Sequence, residues 1–252
     1  MRISTWNVNG IRRRHAEVVE WVARFAPDVL CLQELKAAPG QIPEQLTALP
    51  DYWSHWHGAP GGYSGVSLHL RKSWASEAPV FDSPEFDFEC RILQAKVGTV
   101  HFMSAYVPNG GKDYDAKLSF LQALHDHVRS LHKRNEQVIL CGDMNVARTE
   151  MDVHPSQRDP SHIGQRPDER ALFEALIAEG LADVGRQCNP INDRYFTWWP
   201  YWRHARERNL GWRLDYMLTS KAIAERVSGS EVHRDYGSSD HGPVVVDLEE
   251  RL

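Results

Sequence analysis

The chain has 252 residues, 42% of them hydrophobic and 25% charged, with a formal net charge of −5. That length suits one large α/β domain or two small ones and is ample for a packed core. No run approaches the roughly 18 apolar residues that span a membrane, and four scattered cysteines without a CxxC pair (Cys31, Cys90, Cys141, Cys188) read as buried free thiols of a reducing, cytosolic protein rather than a zinc site.

In chain order, "RISTWNV" reads as a first strand ending in a turn, not as a signal peptide. "RRHAEVVEWVARFA" carries Val18, Val22 and Phe25 at helical spacing with Trp21 beside them. After the Pro27 break, "DVLCLQE" is a buried strand. "GVSLHLRK" alternates Val66, Leu68 and Leu70 with Ser67, His69 and Arg71, the pattern of a half-exposed strand. "RILQAKVG" and "TVHFMSAYV" form a hairpin around Gly98-Thr99. "AKLSFLQALHDHVRSL" is a long amphipathic helix, and "QVILCGDMN" is a strand running into polar chain. "DERALFEALIAEG" is a helix with acids in its first turn and Gly180 at its end. "WRLDYML" and "PVVVDL" close the chain as strands. No linker or strong repeat divides it. Strands that both alternate with helices and pair as hairpins predict mixed sheets with helices outside, an α/β sandwich. The chain opens directly on its first strand, so no N-terminal regulatory extension is expected.

Polar residues recur at the strand ends. "WNVNG" gives Asn7 and Asn9, "LQELK" gives Glu34, "AYVPNGG" gives Tyr106 and Asn109, "GDMN" gives Asp143 and Asn145, "GWRLDYM" gives Asp215, and "SSDHGP" gives Asp240 and His241. Side chains two apart on a strand share a face, which would set Asn7 beside Asn9 and Asp143 beside Asn145. Gly, Asp and Asn are also plain turn formers, so one such end means little. Six of them make a site if the sheets bring the ends together. That site is rich in oxygen ligands and holds one histidine, which suits magnesium or manganese rather than zinc. Glu34 and Asp240 are the natural carboxylate ligands, with Asn9 as a neutral helper. "GYSGV" lacks the nucleophile spacing G-x-S-x-G. Metal-assisted attack by water on a phosphate ester is therefore expected, without a covalent intermediate. A net negative charge argues weakly against nucleic acid, yet "RRR" at 12–14, "RK" at 71–72 and "RHARER" at 203–208 are local basic clusters; each reads equally as solvated surface.

The ordered motifs "WNVNG", "LQELK", "GYSGV", "YVPNGG", "CGDMNVA", "DER", "GWRLDYML" and "SDHGP" resemble the exonuclease III family of apurinic/apyrimidinic (AP) endonucleases, within the endonuclease/exonuclease/phosphatase superfamily, over nearly the whole chain. The resemblance implies a single domain over 1–252, a DNase I-like four-layer α/β sandwich of two mixed β-sheets flanked by helices. It implies a monomeric, cytoplasmic Mg2+-dependent DNA-repair nuclease, with Mn2+ as a substitute. Such an enzyme cuts double-stranded DNA 5′ to abasic sites, trims or unblocks 3′ ends, and associates with the nucleoid when on DNA. By the same resemblance Glu34, Asn9 and Asp240 surround the metal. Asp143 orients and deprotonates the attacking water, with Asn145 and Asn7 as its partners. His241 and Asp215 form a His–Asp pair on a phosphate oxygen. Tyr106 and Asn109 contact phosphate, Trp198, Trp212 and Leu214 wall a pocket for a base-less sugar, Trp202 lies in the loop that probes the minor groove, and Lys112 inserts into the DNA.

Blander readings stand beside these. Trp198 and Trp212 have a lesser reading as plain core residues and Lys112 as a solvated loop lysine, while His162 reads as a surface residue or DNA contact rather than a catalyst. Asn9 stands where some relatives carry Asp, Cys90 where "EGR" has glycine, and Gln165 where an aromatic is frequent. A phosphatase acting on a small or lipid phosphate, and a non-catalytic DNA-binding module, are the alternative functions.

Overall fold

The computed structural model describes residues 1–249 apart from 48, 60 and 76. The described residues form twelve strands: β1 (Arg2–Asn7), β2 (Val29–Gln33), β3 (Tyr52–His57), β4 (Val66–Arg71), β5 (Phe81–Asp82), β6 (Ile92–Val97), β7 (Val100–Tyr106), β8 (Gln137–Asp143), β9 (Leu181–Asp183), β10 (Asp215–Ser220), β11 (Val227–Val232) and β12 (Val244–Leu248). The helices are α1 (Ile11–Phe25), α2 (Glu44–Thr47), α3 (Tyr114–Lys133), α4 (Pro167–Ala178), α5 (Val184–Cys188) and α6 (Lys221–Ala224). One sheet runs β11-β12-β1-β2-β4-β3 and the other β5-β6-β7-β8-β10-β9. Each contains one parallel pair, β1–β2 and β7–β8. These are the pairs joined by long helices, α1 and α3, as parallel neighbours require a crossover.

The two sheets pack face to face over Ile3, Val29, Cys31, Leu68 and Leu70 from the first and Leu93, Phe102, Ile139, Cys141 and Met217 from the second. On the outer face of the second sheet Phe120, Leu121, Leu124 and Val128 of α3, with Phe173 and Leu176 of α4, cover Met103, Val138 and Leu140. Val18 and Trp21 of α1 cover Trp6, Leu30 and Leu32 of the first. Helix, sheet, sheet and helix make the four layers expected from the sequence. Asp113 starts α3 by accepting from the Ala116 N–H at 2.9 Å, a cap worth about 1 kcal/mol.

Four details differ from the sequence reading. β4 is buried on both faces rather than half exposed. It lies between β2 and β3, and its polar face is closed by His69, whose ring nitrogens bond Ser54 and Ser67 beneath the edge of Trp56. β10 begins at Asp215, so that acid opens the strand instead of sitting inside it. Edge strands β3 and β11, "YWSHWH" and "VSGSEV", lack a clean apolar alternation and were not legible as strands. Of the cysteines, Cys31 and Cys141 are buried, while Cys90 and Cys188 are only half-buried.

Candidate active site

The sheet ladders build the centre of the site. Tyr106 of β7 lies directly opposite Asp143 of β8, and Asp143 directly opposite Asp215 of β10. Opposed residues on neighbouring strands have their side chains close together on one face, so three consecutive strands deliver a phenol and two carboxylates in one row. The glycine before Asp143 is required there: a Cβ on Gly142 would come within 1.9 Å of the Ala105 carbonyl oxygen.

The end of the other sheet meets this row. β1 stops at Asn7, whose Nδ2 donates to Asp143 Oδ2 at 2.9 Å across the sandwich. Asn7 Oδ1 accepts from the Asn9 N–H and Asp143 Oδ1 from the Asn145 N–H, each at 2.9 Å. Two Asx-type turns therefore face one another. The pairs Asn7/Asn9 and Asp143/Asn145 meet as expected, but by a different route. The strands have already ended, and Asn9 (φ 44°) and Asn145 (φ 51°) adopt left-handed backbone that folds them back onto the preceding residue. Asparagine tolerates this conformation better than most side chains. Asn145 Nδ2 donates to the Val107 carbonyl at 2.9 Å and lies 3.3 Å from Asp143 Oδ2.

His241 completes the centre, with Nδ1 2.8 Å from Asp215 Oδ2 and Nε2 3.8 Å from Asp143 Oδ2. Burial alone would push the imidazole toward neutrality, but the carboxylates of Asp215 and Asp143 outweigh it and raise its pKa to about 10. Burial lifts Asp143 in the opposite sense, to about 7, against the pull of His241. Tyr106 is driven well above the ordinary tyrosine value by burial, with Glu34 and Asp143 adding to it, so its phenol stays protonated. The centre thus holds an imidazolium, a carboxyl group that titrates near neutrality and a protonated phenol. Two residues missed from sequence brace it: Thr197 Oγ1 accepts the N–H groups of Leu214 and Asp215, and Trp6 Nε1 holds the His241 carbonyl at 3.0 Å.

Beside the centre lies an oxygen-rich patch. Asn9 Nδ2 donates to Asp240 Oδ1 at 2.8 Å, and Lys36 Nζ bridges Asn9 Oδ1 (2.6 Å) and Glu34 Oε1 (2.8 Å). Glu34 holds a left-handed φ of 56°, a conformation that carries strain for a non-glycine residue and clusters at functional sites. Asp240 is held below the ordinary carboxylate range: burial opposes this, and His241, Asn9 and Trp198 prevail. The Glu34 carboxylate and the Asn9 amide oxygen, which share the Lys36 ammonium, and the Asp240 carboxylate beside Asn9 are hard oxygen donors of the kind that suit a small divalent cation. Asp143, Asp215 and His241 also come within ligand distance of one another. In that trio Nδ1 of the imidazole is already bonded to Asp215, while Nε2 lies toward Asp143. Lys36 was missed in the sequence; its signal was a cation two residues after the key acid. Tyr201 closes this patch, with its hydroxyl 3.0 Å from Arg14 Nη2 and 3.5 Å from Asp240 Oδ1.

Trp198, Trp212 and Leu214 pack together with Val153 and Ala147 next to the centre. The two tryptophans meet edge to face at 5.6 Å, Trp212 Nε1 donates to Gln157 Oε1 at 2.6 Å, and His162 stands edge-on to Trp212. Trp198 also donates its Nε1 to Asp240 Oδ2 at 3.0 Å, tying the apolar patch to the oxygen-rich one. Asn109, Lys112 and Trp202 are exposed; Lys112 sits 5.8 Å over Tyr63, and Arg203 5.2 Å over Trp202. The basic clusters divide. Arg12 and Arg13 are exposed, but Arg14 is buried and holds the Asn9 carbonyl. Arg206 is likewise spent on the carbonyls of Tyr236 and Ser239. Cys90, in the position expected to be glycine, has φ 56°.

The family profile described as "Endonuclease/Exonuclease/phosphatase family" matches residues 4–241. Recombination repair protein 1 of Drosophila melanogaster is 31% identical over 250 residues, 98% of this chain, which spans only 37% of that protein's length. The exodeoxyribonuclease of Bacillus subtilis is 30% identical over 97% of this chain and 98% of its own. Among solved structures, an AP endonuclease from Archaeoglobus fulgidus superposes with a TM-score of 0.88 at 30% identity, covering 99% of this chain and 100% of that one. A 3′ phosphatase from Neisseria bound to a product DNA hairpin superposes with a TM-score of 0.87 at 29% identity, over 99% and 100% of the two chains. With the profile running from β1 to His241, and the same architecture in relatives that match its full length, this chain belongs to the endonuclease/exonuclease/phosphatase family.

Proposed function

We propose that this chain is a metal-dependent DNA-repair nuclease. It hydrolyses the phosphodiester 5′ to an abasic site in duplex DNA, leaves a 3′-hydroxyl, and removes nucleotides or blocking groups from 3′ ends. It acts as one domain and as a monomer, with Mg2+ as the cation and Mn2+ as a substitute. The observation that carries this reading is the Asp143 neighbourhood: a buried carboxyl group titrating near 7, gripped by Asn7 and Asn145 and flanked by a His–Asp pair. The names of the similar proteins, which include an AP endonuclease, an exodeoxyribonuclease and a 3′ phosphatase, support the same chemistry. No helix among the described residues is long and apolar enough to cross a membrane.

The residues divide the work as follows. Glu34, Asp240 and the Asn9 amide oxygen would hold the cation, which when bound neutralises phosphate charge and polarises the phosphoryl group. Asp143 takes the proton from the attacking water. The amides of Asn7 and Asn145 fix the carboxylate's orientation without adding negative charge beside an anionic substrate. Water oxygen bonds to phosphorus as the P–O3′ bond breaks, the departing 3′ oxygen takes a proton from solvent, and Asp143 returns the water's proton to solvent. His241, kept cationic by Asp215, donates from Nε2 to a phosphoryl oxygen, and the protonated Tyr106 phenol donates alongside it. Trp198, Trp212 and Leu214 offer apolar walls to a flipped base-less sugar, whose extrusion costs less than that of a paired nucleotide. Incubation with an abasic duplex and with an inositol phosphate, each with Mg2+ and with EDTA, tests this. Metal-dependent cleavage of the duplex alone is expected; turnover of the inositol phosphate alone would make the chain a phosphatase of the same family.

A further inference from the structure

Lys117 of α3 is a lysine with no exposed surface, ion-paired to Glu169 of α4, which is equally buried. Neither residue lies in the centre described above, yet three of its loops converge on them. Lys117 Nζ donates to the Asn145 carbonyl at 2.7 Å, fixing the left-handed residue whose amide grips Asp143. Glu169 Oε1 accepts the N–H of Gly164 and, at 2.9 Å, that of Arg166. Gly164 in turn lies so close under Trp212 that a Cβ there would fall 2.9 Å from the indole. The aliphatic stem of Lys117 supports the third loop, since a Cβ on Gly110, next to Asn109, would sit 3.0 Å from its Cδ.

Burying a charged pair is expensive, and an apolar pair of similar volume serves stability as well or better. A surface lysine would also leave the Asn145 carbonyl free to turn. We propose that Lys117 and Glu169 are positioning residues for catalysis. Through one ion pair they lock the water-orienting Asn145, the wall carrying Trp212 and the phosphate loop at Asn109 into a single arrangement. This deepens the nuclease reading and rests on it. The polarity of the pair matters: the ammonium must face the Asn145 carbonyl and the carboxylate must face the two loop N–H groups, so no apolar pair reproduces it.

The test is a set of variants measured on the abasic duplex under single-turnover conditions. Lys117→Met/Glu169→Gln removes both charges while keeping an acceptor for Gly164 and Arg166, and Lys117→Arg keeps the cation. A misplacement of about 1 Å costs on the order of 10²-fold in rate, so the double variant should lose roughly that in kcat with KM within about threefold, and Lys117→Arg should recover much of it. Because the pair holds the Asn145 turn as well as the Trp212 and Asn109 loops, part of its effect runs through Asn145, and the double variant should cost clearly less on top of Asn145→Ala than it does in the wild-type background. Additive losses, a change confined to KM, or unchanged kcat would overturn the proposal. If the double variant does not fold, Glu169→Gln enters the same cycle. Amide hydrogen exchange provides an arm independent of activity. The Asn145 and Gly164 N–H groups should exchange at least about tenfold faster in the variant while α3 core amides do not, and unchanged exchange at Asn145 would refute the proposal. An inactive wild-type protein would sink the nuclease reading instead and leave the exchange result to decide this one.

Discussion

Asp143→Asn should stabilise the protein while nearly abolishing turnover. In the fold, burial raises this carboxyl group from 3.8 to about 7. At pH 8 it is ionised both folded and unfolded, so the folded state carries the whole penalty of the buried charge. The gap corresponds to about 4 kcal/mol at 1.36 kcal/mol per pH unit. The sign follows from proton linkage: a raised folded pKa lowers stability progressively as pH climbs from about 4 to about 7, and the penalty is constant above that. Asparagine has the same shape and no charge. It loses two contacts, because its Nδ2 would face Asn7 Nδ2 and Asn145 Nδ2, now donors to the carboxylate at 2.9 Å and 3.3 Å, at a cost of roughly 2 kcal/mol. The net gain is about 2 kcal/mol, or a Tm higher by about 5 °C in a chain of this size. Thermal unfolding by circular dichroism in EDTA, at pH 8 and pH 5, measures it: the variant should melt higher at pH 8, and the difference should vanish near pH 5. A variant that melts lower at pH 8, or a difference independent of pH, would refute the assignment of Asp143 as a strained, destabilised acid.

Other outcomes follow from the same geometry. His241→Ala removes the buried cation between Asp143 and Asp215 and should cost roughly 10²–10⁴ in kcat; a rate within threefold of wild type would exclude it from the mechanism. The pH profile of kcat/KM should rise through about 7 as Asp143 loses its proton and fall toward about 10 as His241 does; a flat profile from pH 6 to 8 would remove Asp143 as the base. Trp198→Phe deletes the indole donor to Asp240 and should weaken Mn2+ binding by roughly 10-fold in calorimetric titration. With Arg14 and Arg206 committed internally, about four phosphate contacts remain for the exposed cations, so log affinity for duplex should fall against log salt with a slope of about −4; affinity independent of salt would return the basic clusters to plain surface.

Much of this arrangement was legible because the chemistry sits at strand ends, where an apolar run gives way to an acid or amide within two residues. "QVILCGDMN" and "RISTWNVNG" announce both the strand and its polar end, and the structure brings Asn7, Asp143 and Asn145 into contact. The route was not legible: the left-handed turns at Asn9 and Asn145 depend on long-range partners such as Lys36 and Lys117. Residues that act through burial were hidden for a related reason. Arg14 and Arg206 look like their exposed neighbours in an Arg-rich run, and only the fold decides which arginine turns inward. Lys117 lies on a helix whose apolar stripe hides nothing unusual, and its partner Glu169 is 52 positions away. Edge strands such as β3, rich in Trp and His, carry no period to read.

In the proposed reaction water, directed by Asp143, attacks phosphorus beside an abasic site. Cleavage of a single-abasic duplex in 18O-labelled water, with the fragments analysed by mass spectrometry, tests it most directly. Hydrolysis places one 18O atom in the 5′-phosphate of the downstream fragment, leaves an unlabelled 3′-hydroxyl on the upstream one, and both products are lost in Asp143→Asn. An unlabelled phosphate with an unsaturated aldehyde at the 3′ end would show strand scission by elimination, and would contradict the hydrolytic role assigned to this site.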